Sequence, residues 1–230
     1  MPNKKPTLQN PNGSPRVILV WDLPTRLFHW LLAIFVIISF LTGNIGGNAM
    51  QYHEWSGFTI LVLILFRMIW GFVGSRESRF VTFVKSPSAV ARYSVTLLQK
   101  DSPRCLGHNP LGGWSIIAML FALWVQAATG LFANDDIATE GPLYPWLSKA
   151  TSDALTRIHR LNQEVIIALV SIHVLAVLFY FFYKRENLVV PMVTGVKRWS
   201  ATASEPATGR AWMAALITGL AGLAVYLLVH

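Results

Sequence analysis

The chain has 230 residues, 53% of them apolar and 13% charged, with a formal net charge of +8 and one cysteine. Soluble domains carry about twice that charged fraction, so the composition points to a membrane. Cys105 alone excludes a disulfide framework, an iron–sulfur cluster and a thiolate zinc site, and no C-x-x-C-H motif offers covalent haem attachment; a metal here must be held by histidine or carboxylate.

Residues 1–15 are rich in Pro and Asn and predict a disordered N-terminus. Apolar runs follow at 27–43, 55–74, 114–133, 165–183 and 211–229, each near the roughly 20 residues that a spanning helix needs. The first follows a lead of nearly 30 residues and has no small-x-small site after it, unlike a cleaved signal. "WDLPTRLFHW" opens helix 1, with Asp22 as N-cap and Pro24 in the first turn. Helix 1 ends near Gly43, and "GNIGGNAMQ" turns the chain into helix 2, which starts about His53 and runs to "WGFVG" with Arg67 inside it. The segment 75–110 is long and basic, with "SPSAVARYSVTLLQ" expected to be partly helical on the membrane surface. Helix 3, the loop 134–153 and helix 4 follow, then a linker at 201–210, "ATASEPATGR", and helix 5 over 211–230. The fold class is therefore all-α, an integral membrane helical bundle. No internal sequence repeat is evident.

Basic residues gather at 1–28 (Lys4, Lys5, Arg16, Arg26), 75–110 (Arg76, Arg79, Lys85, Arg92, Lys100, Arg104) and 184–210 (Lys184, Arg185, Lys197, Arg198, Arg210). The intervening connections are poor in them: 44–54 holds Glu54, and 134–153 holds Asp135, Asp136, Glu140 and Asp153 against Lys149. The positive-inside rule places the N-terminus in the cytoplasm and the C-terminus outside. The charge is a topology signal rather than a nucleic-acid surface.

His29, His53, His159 and His173 fall in or at the ends of helices 1, 2 and 4. An interhelical hydrogen-bonding role suits any one of them alone. Together their spacing says more. His159 and His173 are fourteen residues apart, hence on one face and roughly 21 Å apart along the axis. With the helix directions above, His53 and His159 lie near the external side and His29 and His173 toward the cytoplasm. Two stacked bis-histidine sites result. Haem iron uses two axial imidazoles and nothing else from the protein. Zinc wants three or four protein ligands, copper usually brings Cys or Met, and a proton relay needs carboxylates at depth, none of which is read between the helix ends.

The step of fourteen recurs. From His29 it reaches Gly43, where a missing side chain would clear a macrocycle. From His53 it reaches Arg67, where a cofactor carboxylate would need a cation; snorkelling to phospholipid is the bland alternative. Arg157 and Arg160 flank His159 and suit external carboxylates. Gly57 and Gly130 would also admit close approach.

"VWDLPTRLFHW", "HEWSGFTILVLILFRMIWGF", "GHNPLGG" and the His159/His173 pair resemble the bacterial cytochrome b561 family, which includes the b-type cytochrome subunits of nickel–iron hydrogenases. The resemblance covers about residues 17–200. It implies a four-helix core, within residues 16–200, that holds two non-covalent haems b. His29 and His173 would ligate the internal haem and His53 and His159 the external one. It further implies a bacterial inner-membrane protein that moves electrons between a quinone pool and a partner, either a periplasmic c-type cytochrome or a hydrogenase-like subunit. Helix 5 departs from the four-helix pattern and is expected to pack through the small-xxx-small step Ala215–Gly219. His108 structures the loop before helix 3 or serves a quinone or proton site; His230 is incidental. Competing readings are a self-standing quinone-coupled oxidoreductase, oxidising superoxide at the outer haem for example, the membrane anchor of a larger oxidoreductase, and a non-redox helical scaffold.

Overall fold

A computed structural model of the chain describes residues 16–99, 105–137, 139–199 and 210–230. The expected disorder at 1–15 and most of the 201–210 linker lie outside the described residues. A short strand β1 (Arg16–Leu19) leads into α1 (Leu23–Ile45). Then come α2 (Met50–Val73), the single turn α3 (Phe80–Phe83), α4 (Pro87–Thr96), α5 (Pro110–Gly130), α6 (Lys149–Phe182), α7 (Val189–Thr194), strand β2 (Val196–Trp199) and α8 (Ala211–Val229). Five of these, namely α1, α2 with the turn before it, α5, α6 and α8, are long and apolar enough to cross a membrane.

Local chemistry sets the helix ends. Asp22 Oδ1 accepts from the Thr25 N–H at 2.8 Å, and Pro24 occupies the first turn of α1, where its missing N–H costs nothing. α1 stops at Gly46, which takes φ 68° and donates its N–H to Thr42 O. Asn109 caps α5 through Gly112 N–H at 2.7 Å, with Pro110 next.

α1 packs along α2, and α5 along α6; α2 also contacts α5 and carries α8 on its outer side. One core joins Phe28, Leu63, Phe66, Trp70 and Leu120 to Ala214 and Ile217 of α8. Neither α1 nor α2 shares an extended interface with α6; His29 of α1 faces His173, and His53 of α2 faces His159, across that gap. Most of the rest of α6 presents large apolar side chains outward, Leu161, Ile172, Leu175 and Phe182 among them. A surface of that kind belongs in lipid.

A folded cap closes the end that carries His29. β1 pairs antiparallel with β2, Arg16 opposite Trp199 and Leu19 opposite Val196. Gly195 O accepts from the N–H groups of Val20 and Trp21 at 2.8 and 3.1 Å, and Trp30 Nε1 donates to Met192 O at 3.1 Å. Tyr93 and Tyr180 join their hydroxyls at 2.7 Å, tying α4 to α6, and Asn109 Nδ2 donates to Tyr180 at the same distance. At the opposite end, Asn134 Nδ2 donates to Ser152 Oγ at 2.6 Å and fixes the loop to α6.

Three expectations change. α6 begins at Lys149, well before its apolar run, because Ser148 caps it and its first turns are polar. As a result Glu164, on the exposed side of α6, stands between His159 and His173, so carboxylates are not absent between the helix ends. Helix 5 packs through Ala214, Ile217, Ala221 and Val225; Ala215 and Gly219 face outward, and a Cβ on Gly219 would meet nothing within 4 Å. The β1–β2 ribbon carries no sequence signal strong enough to read, since each strand has four residues and its partner lies far along the chain.

Candidate functional site

The histidines meet in twos. The rings of His53 (α2) and His159 (α6) have centroids 6.1 Å apart at an interplanar angle of 81°; those of His29 (α1) and His173 (α6) are 6.4 Å apart at 54°. All four rings are only partly covered by protein.

The His53/His159 level is built twice on one plan. His53 Nδ1–H donates to Ser39 O at 2.8 Å, and His159 Nδ1–H donates to Gln126 O at 2.9 Å. Three residues after each acceptor stands a threonine, Thr42 or Thr129, whose hydroxyl donates back to the carbonyls of its own helix. Four residues after each acceptor stands a glycine. A Cβ on Gly43 would come within 2.8 Å of His53 Nδ1, and one on Gly130 within 3.0 Å of His159 Cε1. Each ring therefore lies against a bare stretch of the neighbouring helix, at the carbonyl one turn earlier. With Nδ1 engaged, Nε2 is left as the free electron pair. Sequence reading found both glycines but neither carbonyl. The available signal was the pair S-F-L-T-G (39–43) and Q-A-A-T-G (126–130), a local repeat shared by α1 and α5.

The His29/His173 level is built differently. His29 Nδ1 is buried with no hydrogen-bond partner among the described residues. Arg67 is 3% exposed, not reaching for headgroups. Its guanidinium carbon lies 4.8 Å from the Phe80 ring centre, 5.8 Å from Phe83 and 6.0 Å from Phe28, and its Nη1 has no hydrogen-bond partner among the described residues. His108 lies between Trp21 and Phe83, its ring centre 4.6 and 4.9 Å from theirs and tilted by 48° and 57°, with Nδ1 buried and without a hydrogen-bond partner among the described residues. Burial first, then the nearby Arg67 charge and the His173 and His29 rings, push its pKa down to about 3, so the ring is neutral.

Two metal–imidazole bonds of about 2 Å each, plus two ring radii, span roughly 6 Å, and both ring pairs are set at that separation. Among the described residues no three His, Cys, Asp or Glu side chains converge. A donor set of two imidazoles suits an ion whose other ligands come from a macrocycle. The residues fit haem.

Residues 20–195 match the family model described as prokaryotic cytochrome b561. The chain belongs to that family. A probable Ni/Fe-hydrogenase B-type cytochrome subunit of Rhizobium leguminosarum bv. viciae is 25% identical over 211 residues, covering 77% of this chain and 87% of the relative. One from Azotobacter vinelandii is 24% identical, covering 82% and 94%. A probable Ni/Fe-hydrogenase 1 B-type cytochrome subunit of Escherichia coli strain K12 is 26% identical, covering 77% and 89%. No solved structure matches the chain.

The family assignment makes this a multi-pass membrane cytochrome b, all-α throughout its spans. The matched region takes in all four histidines of this cytochrome b561 chain and stops short of α8. Of the remaining expected site residues, a Cβ on Gly57 would meet nothing within 4 Å. Arg157 and Arg160 are exposed on the same side of α6 as Glu164.

Proposed function

We propose that this cytochrome b561 holds two non-covalent haems b, one between His53 and His159 and one between His29 and His173, and carries electrons across the bacterial inner membrane. Haem supplies one-electron exchange between ferric and ferrous iron, and axial ligation by two imidazoles suits relay better than substrate chemistry. The observation that carries this reading is the pair of ring separations, 6.1 and 6.4 Å, at two levels of α6. The fourteen-residue step sets those levels roughly 21 Å apart. The chain's own contribution is orientation: carbonyls of Ser39 and Gln126 hold two rings in one tautomer, and the apolar helices exclude water. By the positive-inside rule, the basic residues at the His29 end support an orientation with that end and the N-terminus in the cytoplasm and the C-terminus in the periplasm. The names of the relatives support a hydrogenase-like subunit as partner, with a periplasmic c-type cytochrome as the other candidate and quinone as the second redox reactant.

Haem quantitation and absorption spectra of single variants test this. His53→Ala and His159→Ala should remove one and the same haem, and His29→Ala and His173→Ala the other. A double substitution His29→Ala/His53→Ala that loses only one haem breaks the pairing, and a colourless wild-type protein ends the redox reading.

A further inference from the structure

Arg67 lies within a membrane helix and forms no ion pair in the described structure. An intramembrane guanidinium is costly unless paired. Three phenyl faces surround it, yet aromatic faces accept none of its N–H groups in the plane where carboxylates do. Asp22 is the carboxylate whose charge acts on Arg67, yet it makes no hydrogen bond or ion pair with it in the described structure: Oδ1 caps α1 and Oδ2 accepts from Trp70 Nε1 at 3.2 Å. Beside Arg67, His108 is clamped between Trp21 and Phe83 with a second unpartnered nitrogen. His108 as a residue is half-buried, but its Nδ1 is shut off from solvent. Trp21 and Phe83, 8% and 2% exposed, shut the cluster off from the outside. Both unsatisfied nitrogens thus stand at the His29/His173 level, where a ligand with anionic oxygens would satisfy them.

We propose that Arg67 and His108 form one seat for the carboxylates of the haem between His29 and His173, Arg67 as counter-charge and His108 as hydrogen-bond partner. This rests on the bis-histidine reading above. The cap formed by β1, β2 and α3 then keeps Trp21, Phe80 and Phe83 over the seat, so that the carboxylates meet protein donors instead of water. His108 is a binding residue in this account, not a quinone or loop residue. At the other level the flanking cations, Arg157 and Arg160, are exposed.

The test uses the full chain freed of haem and reloaded either with haem or with its dimethyl ester, whose carboxylates carry no charge. Arg67→Met and His108→Ala should each weaken haem at the His29/His173 level about ten- to a hundredfold and lower the midpoint potential of that haem, because lost positive charge and lost hydrogen bonding disfavour the ferrous form. Neither variant should weaken the ester further, and His108→Gln, which keeps an amide donor, should recover part of the loss. Equal weakening of haem and ester would mean that the two residues only support the fold, and would overturn the proposal. So would an effect on the haem lost in His53→Ala. Unchanged haem binding with loss of a quinone analogue in His108→Ala would assign His108 to quinone and overturn it too. Absence of any haem at the His29/His173 level in the wild type would instead refute the bis-histidine reading on which the proposal stands.

Discussion

Gly43 and Gly130 matter for the atom they lack. Each leaves room for an imidazole to lie against a helix and donate to a carbonyl one turn back, Ser39 O at 2.8 Å or Gln126 O at 2.9 Å. Gly43→Ala would put a Cβ 2.8 Å from His53 Nδ1, closer than real contacts allow, and the ring must swing off its carbonyl. Loss of such a supporting hydrogen bond weakens metal affinity about 10- to 100-fold. Gly43→Ala and Gly130→Ala should therefore each weaken the haem of the His53/His159 level by that factor in haem titrations. Gly57→Ala, facing open space, should leave it unchanged. The four histidines and these glycines were legible in the sequence as residue types at helical spacing. What each glycine faces was not. Counting along α1 sets Gly43 on the face of His29, whereas the ring it admits comes from α2, and a relation between helices is not written in the period of one of them. Backbone acceptors such as Ser39 O are less legible still, because any residue could supply the carbonyl.

At the scale of elements, hydropathy found all five spans, since burying backbone polar groups in lipid leaves little alternative to a helix. It misjudged where they begin. α6 extends about sixteen residues ahead of its apolar run, and that polar extension carries Arg157, Arg160 and Glu164 on one exposed side. α8 shows the second limit of such reading: an all-apolar helix has no polar face to reveal which side packs. The small pair Ala215 and Gly219 suggested one face, but Ala214, Ile217, Ala221 and Val225 make the contact with α2, at steps of three and four that track its groove. Ala221→Leu, 5% exposed in the native chain, overpacks that groove and should cost about 1–3 kcal/mol. It should appear as a lower melting temperature in detergent with α8 shed first in limited proteolysis. Gly219→Ala on the outer side should melt like the wild type or slightly higher, because alanine favours the helix. If the two variants behave in the reverse way, α8 packs through its small-residue side after all.

For the whole molecule, the two levels differ in a way that bears on which holds an electron more tightly. At the His53/His159 level both imidazoles donate Nδ1–H to backbone carbonyls. That donation makes a ligand more basic and favours ferric iron. At the His29/His173 level His29 Nδ1 has no such acceptor among the described residues, and a buried guanidinium, 3% exposed, stands nearby, which favours the form with one more electron. The cations of the other level are exposed and screened. Both effects act in the same direction, so the His29/His173 level should have the higher midpoint potential, and an electron entering the bundle from either end should settle there. Redox titration of the purified protein should resolve two one-electron steps. The lower step should vanish in His53→Ala and the upper one in His29→Ala. Gly43→Ala, by releasing one Nδ1–H from its carbonyl, should raise the lower step and narrow the gap. A wild-type titration in which His53→Ala removes the upper step would reverse the order and show that the carbonyl seats are not what sets it.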